Sequence, residues 1–165
     1  MNTPRLTLTA VTAAAIIALT SGCSALSGLL PSAEPVRDDS GQISEAADNA
    51  DVFALTVGDC FTEIDASEVT SVPVVPCSEP HDYEAYAATE LPDGDFPGED
   101  ELIATADDFC HDEFETFVGT LYGDSEFDYS YLYPQEAGWD GGDHEILCLV
   151  YGQDQLTGSV EGARS

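Results

Sequence analysis

The chain contains no lysine; its three bases are all arginine, set against 33 acidic residues. A formal net charge of −30 repels phosphate backbones and excludes nucleic-acid binding. Anionic lipid headgroups are repelled for the same reason, whereas cations, basic peptides and basic protein surfaces are attracted. Adaptation to high salt, or solubility alone, accounts for the acidity equally well. No apolar run reaches the ~20 residues that a spanning helix needs. The signatures of common catalytic sites are also missing: there is no H-E-x-x-H, no G-x-S-x-G elbow, no phosphate loop and no C-x-x-C pair. With so many acids, carboxylate pairs at glycosidase separation arise by chance and carry no information.

The N-terminus is legible as an address. Arg5 precedes an uncharged apolar run from Leu6 to Leu19, and the small residues Thr20, Ser21 and Gly22 lead into Cys23. Residues 1–22 therefore read as a signal peptide. Gly22-Cys23 resembles the lipobox cleaved by the lipoprotein signal peptidase, although Thr20 stands where an aliphatic residue is usual. Cys23 is the expected lipidation site, and two or more acyl chains give stable attachment. The expectation is a protein lipid-anchored on the extracytoplasmic face of the cell membrane. An ordinary secretory signal followed by an incidental Cys23 is the alternative.

Residues 24–50 contain no aromatic side chain and are rich in Ser, Ala, Pro, Asp and Glu. So little apolar surface does not offset the entropy of ordering, so residues 23–50 read as a lipidated N-terminus and flexible tether spanning roughly 30 Å. All seven Phe, all seven Tyr and the single Trp fall in 51–165, which reads as one domain. Short β-rich runs at Val52–Val57, Val69–Val75, Tyr83–Ala88, Phe127–Tyr133 and Ile146–Tyr151 predict strands, with a short last one at Leu156–Val160. Pro73 argues for an edge position or a bulge, and the alternation at 83–88 predicts a strand with one wet face. One helix is predicted from about Glu99 to Leu121, with Gly123 ending it. Acids open its first turn, and Leu102, Ala106, Phe109, Cys110, Phe114, Phe117, Val118 and Leu121 form an apolar stripe. The fold class is α+β: a mainly antiparallel sheet packed on one amphipathic helix.

With Cys23 assigned to lipid, Cys60, Cys77, Cys110 and Cys148 remain, an even number in an oxidising compartment. Sequence alone allows three pairings. Cys110 lies on the helical stripe and Cys148 inside the most apolar strand, so joining them staples helix to sheet and leaves Cys60 with Cys77. The two bridges are worth roughly 4 and 3 kcal/mol respectively in the loop-entropy model. A four-cysteine metal site is the rival, without the C-x-x-C spacing such sites use.

Val57-Gly-Asp-Cys-Phe61, Val75-Pro-Cys-Ser-Glu-Pro-His-Asp-Tyr-Glu84, Cys110, Trp139, Gly142-Asp143, Cys148 and Leu156-Thr-Gly-Ser159 together resemble the septum formation domain family of actinobacterial envelope proteins. The resemblance covers nearly all of 57–159. It implies a lipoprotein or membrane-anchored protein connected with septation or the cell wall, and it implies no defined chemical activity. Two positions depart from the pattern. Ala85 stands where a larger β-branched residue is expected, and the run Asp140 to Glu145 is acidic where members often carry a base.

The most suggestive polar cluster is His81-Asp82-x-Glu84. It reads either as a base or metal ligand with a carboxylate fixing its tautomer, or as a turn whose side chains bond loop backbone. The second reading is the better supported, since His81, His111 and His144 stand at no spacing that pairs two imidazoles on one helical face. Asp124-Ser-Glu126-Phe-Asp128 begins like a calcium loop but has Tyr129 for the glycine and Gln135 for the final glutamate. Only weak divalent-cation binding follows. Tyr129, Tyr131, Tyr133 and Trp139 can form either an aromatic surface for wall sugars or a partner, or one half-buried face against the helix. The candidate binding residues are therefore His81, Asp82, Glu84 and Trp139, with no cofactor, no metal ligand set and no catalytic residue assigned. The expected function is a non-enzymatic envelope module that binds a division protein or a wall component. The alternative is an envelope-directed hydrolase or metal-dependent enzyme centred on His81, Asp82 and Glu84.

Overall fold

The structure, a computed structural model, describes residues 34–62 and 69–164. The expected signal peptide, residues 1–22, and the expected lipidation site Cys23 lie outside the described residues. Six strands run in chain order as β1 (Ala47–Asp51), β2 (Cys60–Phe61), β3 (Ser71–Val75), β4 (Tyr83–Glu90), β5 (Asp128–Leu132) and β6 (Glu145–Tyr151), with helices α1 (Glu99–Val118) and α2 (Glu136–Asp140). They form one curled antiparallel sheet in the order β1-β3-β2-β4-β6-β5. The expected α+β class and both disulfides, Cys60–Cys77 and Cys110–Cys148, are present.

Helix α1 forms because acids Glu99, Asp100 and Glu101 face its positive N-terminus and a buried stripe recurs every fourth residue, Leu102, Ala106, Cys110, Phe114 and Val118. It ends at Gly119, whose φ of 82° is left-handed. The end comes earlier than the apolar period predicts, so Leu121 lies beyond the helix and is exposed. The glycine at 119, not Gly123, supplies the stop; Gly123 sits in the short 3-10 turn that follows.

The sheet is covered on both faces. Tyr86, Ile146, Cys148 and Val150 pack toward α1, while Phe61, Val74, Ala85, Leu147 and Leu149 form a second cluster on the other side. Strand β6 is apolar from Ile146 to Val150 because both of its faces are buried there. Strand β4 departs from the expected wet face: Glu84, Ala85 and Tyr86 are all buried, and the alternation opens to solvent only near Ala88. Pro73 lies in β3, an inner strand, beside the register shift between Ala47 and Ala50 in the β1–β3 ladder, so the expectation of a bulge is met. Two expected strands are absent. Val52–Ala54 is a 3-10 turn capped by Asp51, and Leu156 makes a single bridge to His81.

The tether expected over 23–50 extends too far. Its residues 34–50 belong to the folded body: Arg37 bridges Ile43, Ile43 and Ala50 are buried, and 47–51 form β1. Composition misled because strand pairing and small alanines need no aromatic side chain to order a segment. Among the described residues no helix is long and apolar enough to cross a membrane.

Candidate functional site

Of the four candidate binding residues, the fold brings His81 and Glu84 into one sealed cluster and places Trp139 elsewhere. Glu84 stands directly opposite Cys60 in the β2–β4 ladder, so its carboxylate lies within 4.8 Å of both sulfurs of the Cys60–Cys77 bridge. Ser159 Oγ donates to one carboxylate oxygen at 2.5 Å and the Val160 N–H to the other at 2.8 Å. Burial pushes the Glu84 carboxyl above the ordinary carboxylate range, against the opposing pull of these two bonds. Cys60, Cys77 and Glu84 are close enough to hold a cation among the described residues, but a disulfide has no free thiolate to offer.

His81 is wholly buried. Its Nδ1 lies 2.8 Å from the Glu79 carbonyl, which only accepts, so Nδ1 carries the proton in this geometry. Nε2 has no hydrogen-bond partner among the described residues. The His81 backbone exchanges two hydrogen bonds with Leu156, and the Asp82 N–H donates to the Phe61 carbonyl. These bonds hold the C-terminal segment against β4, and neither His81 nor Glu84 offers a surface that a substrate can reach.

Trp139 donates from Nε1 to the Gly94 carbonyl at 2.8 Å and packs between Phe96 and His144. It pins the 91–98 loop. The tyrosines of β5 face α1: Tyr129 donates to Asp107, and Tyr133, just past the strand, to Glu99. They are half-buried against the helix-side core, which is the second of the two readings given them above.

Sequence reasoning missed the surface that is open. A groove of about 410 Å³ crosses the face opposite α1. Leu147 and Leu149 of β6 and Tyr83 of β4 form its floor. Val52 and Phe53, directly after β1, stand on one side; Ser130 and Leu132 of β5 stand on the other. Since β1 and β5 are the two outer strands of the sheet, the curl brings the neighbourhoods of both edges to one groove. Phe53 is 65% exposed at the rim. Asp143 and Glu145 close one end. Its traces in the sequence are the acidic run at 140–145 and the candidate aromatics Tyr131 and Tyr133, which also line the groove; the rest was hidden because the lining comes from five separated segments.

The fold and groove define a disulfide-stapled α+β domain with an apolar groove open among the described residues. Residues 31–148 match the family model described as septum formation, and the chain belongs to that family. Membership ties the protein to septum formation, and the match begins well upstream of residue 51, as the ordered 34–50 segment requires. No curated protein and no solved structure matches the chain.

Proposed function

We propose that this protein is a lipid-anchored, extracytoplasmic binding module of septum formation, non-enzymatic, whose partner occupies the groove between Phe53 and Leu132. One contrast carries the reading: the acid–imidazole cluster is sealed, while the open groove is mainly apolar and, among the described residues, holds no nucleophile–base pair. An exposed aromatic on the rim of an apolar groove is what a binding surface offers. The anchor rests on Gly22-Cys23 following a signal-like run. Affinity capture from envelope extracts, at low and high salt, tests the module reading with wild-type protein beside Phe53→Ala. A captured component that the variant loses supports the proposal; identical capture by both removes the groove from it. Cys23→Ser tests the tether separately, and normal size with full membrane retention in that variant overturns the lipid anchor.

A further inference from the structure

Taking the groove as the binding site, we infer that its occupant is an extended segment of a partner polypeptide, lying along β5 and carrying a lysine or arginine against Glu145 and Asp143. Three observations lead there.

The first is unbalanced charge. Glu145 of β6 stands directly opposite Glu90 of β4, and directly opposed like charges destabilise a sheet. Asp143 accepts from the Glu145 N–H, which keeps a third carboxylate beside them. The two described arginines lie elsewhere, Arg37 paired with Asp59 and Arg164 beside Gly119 at the end of α1. Half-burial, Glu90 and Asp143 together hold the Glu145 carboxyl above its ordinary range. A cationic side chain at that end relieves the repulsion. A second copy of this chain, itself at −30, brings more of the same charge. A neutral wall polysaccharide leaves the carboxylates as they are.

The second is the free edge. Among the described residues strand β5 pairs with β6 on one side only. An outer strand presents backbone donors and acceptors along its length, which an added strand satisfies. The third is spacing. Glu145, Leu147 and Leu149 follow at two-residue steps along β6, on the face that floors the groove. A strand laid alongside repeats with the same period. The matching segment has a basic residue at one position and apolar residues two and four places away.

The test uses full-length protein in detergent and a display library of random linear peptides. The expected selection is for Lys or Arg followed or preceded at two-residue steps by apolar residues. The best peptide, made synthetically, should lose about tenfold in affinity against Asp143→Asn/Glu145→Gln and against Phe53→Ala. Replacing its base with Glu should abolish binding. Relief of the Glu90–Glu145 repulsion leaves the double variant at least as stable as wild type, which a thermal melt checks. Selected peptides without a base, or binding indifferent to Asp143→Asn/Glu145→Gln, overturn the inference. So does an empty selection alongside Phe53-dependent capture of purified peptidoglycan, a result that leaves the binding module standing. Unchanged envelope capture by Phe53→Ala removes the groove, and this inference with it, while a binding module that uses another surface still stands.

Discussion

Arg37 grips the buried carboxylate of Asp59 with two prongs, Nη1 to Oδ1 at 2.5 Å and Nη2 to Oδ2 at 2.7 Å. The guanidinium also donates to the Gly41 and Ala54 carbonyls, and the Thr56 N–H adds a further bond to Asp59. One side chain thus locks the 34–43 segment onto the turn between the 3-10 segment and β2. The pair raises the affinity of Arg37 for its proton. Arg37→Ala leaves the Asp59 carboxylate buried with too few donors, and the expected loss is about 3 kcal/mol. Arg37→Lys should recover only part of it, because an ammonium does not match both oxygens. Urea unfolding of the three proteins measures this. Equal midpoints would show that the Arg37–Asp59 pair adds nothing to the fold.

The elements that were legible in the sequence are those whose signal is local and periodic. The α1 stripe and the apolar run of β6 announce themselves within one segment, and Cys110 and Cys148 could be paired because each sits on such a run. Arg37 was not legible as a structural residue, since nothing local separates it from a solvated base in a Ser- and Ala-rich stretch. His81 and Glu84 stood out in the sequence, but Ser159 and Val160, which satisfy Glu84, lie 75 and 76 residues away. The groove was invisible for the same reason, because it exists only once the sheet curls.

Glu84 should give stability an identifiable pH dependence. Its folded carboxyl binds a proton more readily than an exposed one, so between the ordinary carboxylate range and its raised value the folded state carries more of that proton. Stability contributed by this group is therefore full in acid and falls as pH rises through that window. Glu84→Gln can keep both bonds, its oxygen accepting from Val160 and its amide donating to Ser159, and it does not ionise. The melting temperature of Glu84→Gln relative to wild type should rise from acid toward neutral pH. A constant difference across that range contradicts the argument.

The two disulfides should differ in reach and in worth. Cys110 and Cys148 are both fully buried, between helix and sheet, whereas Cys60 is buried and Cys77 is half-exposed. A mild thiol reductant should open Cys60–Cys77 first, read by timed alkylation and peptide mapping. Removal of the bridge with 17 residues of separation is expected to cost about 3 kcal/mol, and of the one with 38 about 4 kcal/mol. Simultaneous opening of both bridges counts against this order.

His81 decides between scaffold and catalyst. The ring is fully buried, its Nδ1–H is spent on the Glu79 carbonyl, and its backbone is bonded to Leu156 on both sides. A general base needs a substrate proton within about 3 Å, directly or through one water, and the burial of His81 and Glu84 leaves no such approach. His81→Ala removes a packed ring and one buried hydrogen bond, an expected cost of about 2–3 kcal/mol. The disulfides should keep the variant folded, so its melting temperature should drop while groove binding survives. A muropeptide-release assay with the purified protein should show no turnover by wild type or variant. An enzyme centred on His81 would behave the other way: wild-type release of muropeptides, lost in His81→Ala, with the melting temperature nearly unchanged. That pair of results would replace the binding module with a hydrolase.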